Sequence, residues 1–414
     1  MNFDTKIQEI ESLLENHREL RENSLNLIAS ENIPSPLVES LLAGDLDHRY
    51  GNYSGINLRD RLYQGNRFIA QIEELTHDLA KQLFGVTYVD FRPLSGNIAG
   101  IATTFALGSH GDTVLEVDNG HRYAHKLATS SLQVELQSVP IPWDGVNYNI
   151  DLDATIALIR KHRPKLVIIG SALFLFPQPV RELKEAMNKY NPGSYLIYDA
   201  AHVMGLIAGG RFQSPLQEGA DVIISSTHKT LAGPQGGMIL TNDREIAERI
   251  GPAIAPLLVS NHHLSRLPAL AGTFLEWMSC GNEHASAIIN NARALGRALH
   301  ERGLRLVGAE LGFTESHTLL PIVDEFGASQ KLADRLEACN IITGTANVPE
   351  ELGTYGLRLG VQEVTRRGMT EADAPEIADC IVEVLNGHKL TAVKQQVLAL
   401  VQRFKQIRFT LGHT

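Results

Sequence analysis

The sequence has little cysteine, few aromatic residues and no long apolar run, and each shortage excludes something. Cys280, Cys339 and Cys380 are odd in number and far apart, which excludes a disulfide framework and suits reduced thiols in a cytoplasm. Neither their spacing nor that of the histidines matches a zinc site, so no metal is expected. No apolar stretch is long enough to cross a bilayer. The N-terminal MNFDTKIQEIESLLENHREL is charged and amphipathic rather than a signal peptide. An excess of positive charge is also missing: 37 Lys and Arg stand against 47 Asp and Glu, a net charge of −10. That argues against general nucleic-acid or membrane-surface binding. There is no low-complexity segment and no internal repeat.

What remains is an ordinary soluble composition, 43% hydrophobic and 20% charged over 414 residues, enough for two or three domains with a large core. Three regions are expected: an N-terminal helix and extended arm over 1–40, a large domain over 41–278 and a smaller α+β domain over 279–414. Within the second, QIEELTHDLAKQLFG places Ile72, Leu75, Leu79 and Leu83 on one helix face with Gly85 as the stop. DTVLEVD, KLVIIGS, YLIYDAAH and DVIISSTH read as strands. Continuous Val/Ile/Leu runs alternating with helices predict a mostly parallel sheet covered on both faces. HTLLPIVD and YGLRLG are strand candidates of the third region, and VKQQVLALVQRF closes the chain as an amphipathic helix.

Ligands of open α/β sheets gather beyond the carboxyl ends of the strands, and several ends here carry polar residues. Asp199 closes YLIYDAAH, where an acid alone would most simply cap a turn. Lys229 follows DVIISSTH, where a lone lysine would most simply snorkel to solvent. Together they suit pyridoxal phosphate, which needs a lysine for its aldehyde and an acid to keep its ring nitrogen protonated. Ser95, Gly96 and Asn97 open a helix in RPLSGNIAG and offer backbone N–H groups to a phosphate; the plainer reading is an N-cap. His121 is placed to stack on a flat ring, or is simply a satisfied loop histidine. Arg358, inside an apolar strand pattern, needs an anion, and an amino acid's carboxylate fits its planar fork. The alternative is an ion pair with a nearby acid.

NLIASEN, LSGNIAG, DAAHVMGLIAGGRF, ADVIISSTHKTLAGPQGGMIL and GLRLG…VTRRGM resemble serine hydroxymethyltransferase, in order and over nearly the whole chain. GSALFLFPQPV and SNHHLSRLPALAG are similar to its archaeal branch. The resemblance implies a fold-type I pyridoxal phosphate transferase: a mostly parallel seven-stranded sheet flanked by helices, with a smaller C-terminal α+β domain. It implies a cytoplasmic homodimer with shared active sites, acting on a small amino acid and an aldehyde or a one-carbon carrier, tetrahydrofolate or another tetrahydropterin. By position, Lys229 matches the Schiff-base lysine, Asp199 the ring-nitrogen partner, His121 the stacking histidine and Arg358 the carboxylate-binding arginine. Ser95, Gly96 and Asn97 fall on the phosphate turn, with Asn97 where bacterial members have serine. Ser171 and His202 match residues near the phenolic oxygen, and Thr227 and His228 flank the lysine. Ser35 matches a substrate contact. Tyr50 and Tyr63 match active-site tyrosines, the first reaching the neighbouring subunit's site.

One departure changes the chemistry. The family carries Y-A-E-G after the first tyrosine, and its glutamate does acid/base work on the hydroxymethyl group and the pterin. Here Asn52 takes that place in RYGNYSGINLRDRLYQG, and the run to Tyr63 is about three residues longer than the family's. An amide does not exchange a proton near neutrality. His125, Tyr53 and Asp60 are candidate substitutes, and the three arginines of this stretch are expected to meet a phosphate or carboxylate across a subunit interface. Two activities follow: serine–glycine interconversion with a tetrahydropterin, or a folate-independent threonine transaldolase or aldolase that passes a glycine unit to another aldehyde. A transaminase needs the same lysine, acid and arginine, but the motif order and the tyrosine pair speak against it. A non-enzymatic binding protein would not need both lysine and acid.

Overall fold

The computed structural model describes residues 2–42, 44–130 and 134–412. The chain forms two compact units, one of Ser30–Ser286 with Phe409–Thr414, the other of Met1–Ala29 with Ala287–Arg408.

The larger unit is built on one seven-stranded sheet. Its strands are β1 (Tyr88–Asp90), β2 (Thr113–Val117), β3 (Gln137–Ile141), β4 (Leu166–Ile169), β5 (Tyr195–Asp199), β6 (Val222–Ser226) and β7 (Gly237–Thr241). They lie in the order β1-β7-β6-β5-β4-β2-β3. All neighbours are parallel except β7, which runs antiparallel to both β1 and β6. The runs LVII, VIISS and GMILT are buried at every position, as strands covered on both faces must be. Helix α2 (Gly96–Leu107) covers one face with Ala99, Ala102 and Leu107, against Val222, Ile224 and Ile239 of the sheet.

Helix α1 (Arg67–Phe84) ends where predicted, at Gly85 with φ +63°, but its most buried face is turned by roughly 100° from the expected one, leaving Ile72, Leu79 and Leu83 partly buried. Ile69, Glu73, Thr76, His77 and Ala80 are the buried positions, while Leu75 is 55% exposed. Buried partners account for the turn: the Glu73 carboxylate accepts from Arg61 at 2.8 Å and contacts His262 Nε2 at 3.1 Å. Thr76 donates to Leu267 O at 3.0 Å. Further on come the short helix α3 (Tyr123–Thr129) and the long helix α4 (Arg266–Glu301), which is continuous through residue 278.

In the smaller unit the N-terminal helix Phe3–Glu22 forms as predicted, with no buried residue. Leu25–Asn26 pairs in parallel with Ile341–Ile342. HTLLPIVD breaks into two short strands, Thr318–Leu319 and Pro321–Ile322, both antiparallel to Tyr355–Gly360. The closing helix Leu390–Val401 buries Val393, Val397, Leu400 and Val401. Among the described residues no helix is long and apolar enough to cross a membrane, and no cluster of His, Cys, Asp or Glu could hold a metal.

Candidate active site

Strands β5 and β6 are parallel neighbours, with Asp199 in register with Ile224. Asp199 ends β5, and Lys229 sits in the turn just past β6, so both lie at the carboxyl ends of neighbouring strands. The turn is tied down from several sides. Thr227 Oγ1 donates to Pro234 O at 2.5 Å, Gly233 N–H to Thr227 O at 2.8 Å and Trp277 Nε1 to Leu231 O at 2.7 Å. Lys229 is buried, and its Nζ lies 3.0 Å from His202 Nε2.

The buried Asp199 carboxylate is crowded with donors. Oδ2 meets His121 Nδ1 at 2.7 Å and accepts from the Tyr123 hydroxyl at 2.8 Å; Oδ1 accepts from Ala201 N–H at 3.0 Å. Burial pushes the carboxyl's pKa up, but His121, Lys229 and the Ala201 N–H outweigh it and hold it below the usual range. Half-buried His228 is pushed down to about 4 by burial, with Lys229 and Arg266 adding to the effect. Its Nδ1 is buried with no hydrogen-bond partner.

The candidate phosphate turn opens α2. Ser95 caps the helix, accepting from Ile98 N–H at 3.2 Å. Gly96 is pressed on β6 so closely that a Cβ there would lie 2.4 Å from Ser226 Oγ. Asn97 Oδ1 accepts from Lys126 Nζ at 2.7 Å. Buried Ser171 accepts from Leu173 N–H at 3.0 Å. A buried lysine, a buried ionised acid, an orphaned histidine nitrogen and a capped helix start together suit a flat, phosphorylated aldehyde, and pyridoxal phosphate fits them.

Residues 3–381 match the family model for serine hydroxymethyltransferase. The chain belongs to the serine hydroxymethyltransferase family. It is thereby a pyridoxal phosphate-dependent transferase of aldol type acting on small amino acids. The serine hydroxymethyltransferase of Pyrobaculum aerophilum is 40% identical over 411 residues, 98% of this chain and 94% of that protein. That of Methanothermobacter thermautotrophicus is 40% identical over 409 residues, 97% and 95% of the two chains. The crystal structure of an L-threonine transaldolase from Pseudomonas fluorescens superposes with a TM-score of 0.91 at 29% identity, covering 99% of this chain and 94% of that one.

The stretch RYGNYSGINLRDRLYQG is anchored from beneath. Tyr53 is buried between two guanidinium groups, Arg92 at 4.4 Å and Arg61 at 4.9 Å from its ring centroid, with His262 edge-on at 5.8 Å. Burial drives its phenol well above the ordinary pKa, so Tyr53 keeps its proton at neutral pH. Asp60 and His125 are exposed. Asn52 donates through Nδ2 to Ser260 O. The three arginines find carboxylates within the chain: Arg49 on Asp45 at 2.5 Å, Arg59 on Glu74 at 2.6 Å and Arg61 on Glu73 at 2.8 Å.

Ser35 is fully buried, and its hydroxyl accepts from Val38 N–H at 3.1 Å at the start of the helix Pro36–Leu42. Arg358 is half-buried in the smaller unit's strand Tyr355–Gly360, where its carbonyl accepts from Thr343 Oγ1 at 3.0 Å. Two residues that sequence reasoning missed shape this site. One is Tyr123, whose hydroxyl sits on Asp199 Oδ2. Arg266, buried at the start of α4, donates to Phe91 O at 3.0 Å, Pro93 O at 3.1 Å and Gly237 O at 3.3 Å beneath the lysine turn. Burial lowers its pKa to about 10. An arginine in the apolar SRLPALAG was the available signal.

Proposed function

We propose that the protein makes and breaks the Cα–Cβ bond of β-hydroxy amino acids, interconverting serine with glycine. The observation that carries this reading is Lys229 and Asp199 at the ends of adjacent strands, with His202 on the lysine and His121 on the acid. Lys229 would hold the cofactor's aldehyde carbon, Asp199 its ring nitrogen, and Ser95, Gly96 and Asn97 its phosphate. His121 would cover its face, and Ser171 and His202 would flank its phenolic oxygen. Bound there, the cofactor supplies a protonated ring that draws electron density from the substrate's Cα.

The chain's own groups do the rest. Asp199 stays ionised and would favour a proton on the ring nitrogen it would hold. His202 gives Lys229 Nζ a proton partner 3.0 Å away. His228, pushed to about 4, is neutral at physiological pH and adds no cation beside the lysine. The Thr227 hydroxyl is spent on the turn that positions Lys229. Arg358 is the proposed grip on the substrate carboxylate, Ser35 a second contact, and Tyr63 and Tyr50 the proposed aromatic wall. Tyr50 would be lent by the partner in a homodimer with shared sites. Three free cysteines suit a reducing cytoplasm.

A specific observation favours a second reading, pterin-independent transfer from threonine to another aldehyde. The group in the glutamate's place is the Asn52 amide, held on Ser260 O and unable to exchange a proton near neutrality. One experiment separates the two: serine or threonine is supplied with and without tetrahydrofolate, plus an added aldehyde. Serine turnover that needs the pterin supports the first reading. Pterin-independent loss of threonine with a new β-hydroxy amino acid supports the second, and no turnover of either amino acid would sink both.

A further inference from the structure

We infer that Tyr123 is a positioning residue for the chemistry at Asp199: its phenol fixes the carboxylate and biases the shared proton toward the cofactor's ring nitrogen. The inference rests on the pyridoxal phosphate reading of the site.

The geometry is specific. Tyr123 is 1% exposed, and its hydroxyl donates to Asp199 Oδ2 at 2.8 Å, the same oxygen that His121 Nδ1 meets at 2.7 Å. The ring is seated by Gly100 of α2, where a Cβ would fall 2.1 Å from the Tyr123 ring carbon that bears the oxygen. Its near-parallel neighbour is His121, with centroids 5.7 Å apart at 22°, so one aromatic pair closes on a single carboxylate oxygen. The groups around this oxygen are His121, Tyr123 and Lys229; those around the phenol are Asp199, Glu116 and Lys126, whose Nζ lies 5.5 Å from the ring centroid.

A buried phenol that donates to a carboxylate stabilises the ionised acid. An acid stabilised in this way competes less for a proton shared with a ring nitrogen, so the nitrogen keeps it. Without the hydroxyl the carboxylate becomes more basic and the nitrogen loses part of its charge. The lysine-bound form of the cofactor, relieved of that nearby charge, then holds its own proton more tightly.

The test is Tyr123→Phe, which keeps the ring seated under Gly100. The visible band of the lysine-bound cofactor is titrated with pH in native and variant protein, and kcat and KM for the amino acid are measured. The expected result is a midpoint raised by about half a pH unit or more, with kcat lowered several-fold and KM nearly unchanged. Site-specific 3-fluorotyrosine at 123, a stronger donor, should move the midpoint down, and it keeps the inference testable if the phenylalanine variant folds poorly. Unchanged midpoints in these proteins, with the cofactor bound, would show a phenol that only fills space and would overturn the inference alone. A native protein with no borohydride-reducible visible band would overturn the pyridoxal phosphate reading and the inference with it.

Discussion

Tyr50 and Tyr63 meet edge to face, ring centroids 5.4 Å apart at 66°, and so close the stretch that they begin and end. Each stays about half exposed, at 53% and 50%. A paired aromatic surface of this kind gains by being covered, and Leu75 and Phe68 on α1 are also exposed, at 55% and 67%. Light scattering is expected to give about twice the 45.4 kDa chain mass, with Tyr63→Ala lowering activity at least tenfold. A fully active monomer at micromolar concentration would count against the shared-site homodimer.

Asn52→Glu places a carboxyl where the sequence resemblance puts the family's glutamate. It is expected to raise pterin-dependent serine turnover by tenfold or more, on the order of a general acid/base contribution, and to leave the visible spectrum of the cofactor unchanged. Equal serine rates in variant and native protein, with and without pterin, would show that the glutamate's absence does not set the reaction.

Acid should weaken the larger unit over two pH windows. His77 is pushed from 6.5 to about 4, by burial first, so below pH 6.5 the unfolded chain binds a proton that the folded one excludes. Stability is full above 6.5 and falls as pH drops toward 4, by up to about 3 kcal/mol. For Glu73 burial alone would raise the pKa, but the hydrogen bond and charge of His262, with His77 and Arg61, bring it from 4.5 to about 2. Its contribution is present above 4.5 and is lost toward 2. Calorimetric Tm should therefore drop between pH 6.5 and 4, and His77→Phe should flatten that limb; an equally steep limb in the variant refutes the assignment.

Gly236→Ala is expected to cost on the order of 3 kcal/mol, because its Cβ would lie 1.8 Å from Arg266 Cζ in a guanidinium that is itself held by carbonyls. Gly55→Ala, at φ +60° with open space around it, should cost only about 1 kcal/mol. Denaturant midpoints compare the two, and similar values would mean that Arg266 can yield.

Some of this was legible in the sequence for clear reasons. Asp199 and Lys229 each follow an apolar run, so adjacency of β5 and β6 suffices to unite them. The periodicity of α1 told which residues share a face but not which face turns inward, because buried charge on Glu73 depends on Arg61 and His262 from distant segments. The arginines of the odd stretch announced a need for anions without saying that Asp45, Glu74 and Glu73 of the same chain meet it. Tyr123 was invisible for the same reason: two residues beyond His121, nothing local says that its hydroxyl points at a strand end far along the chain.

The same stretch divides its labour between two sets of residues. Tyr53 and Arg61 bridge to each other and are gripped from below by Arg92, Glu73 and His262, while residues 54–60 between them are exposed or partly so. Ile56 and Leu58 line a cavity with His77 and Arg92, and Asn52 and Ser54 line another with Arg92 and His262, which leaves Asn57, Arg59 and Asp60 as the exposed positions clear of buried charge. A library confined to Asn57, Arg59 and Asp60 can therefore test the proposed acceptor choice without drawing on the stability held by the lower set.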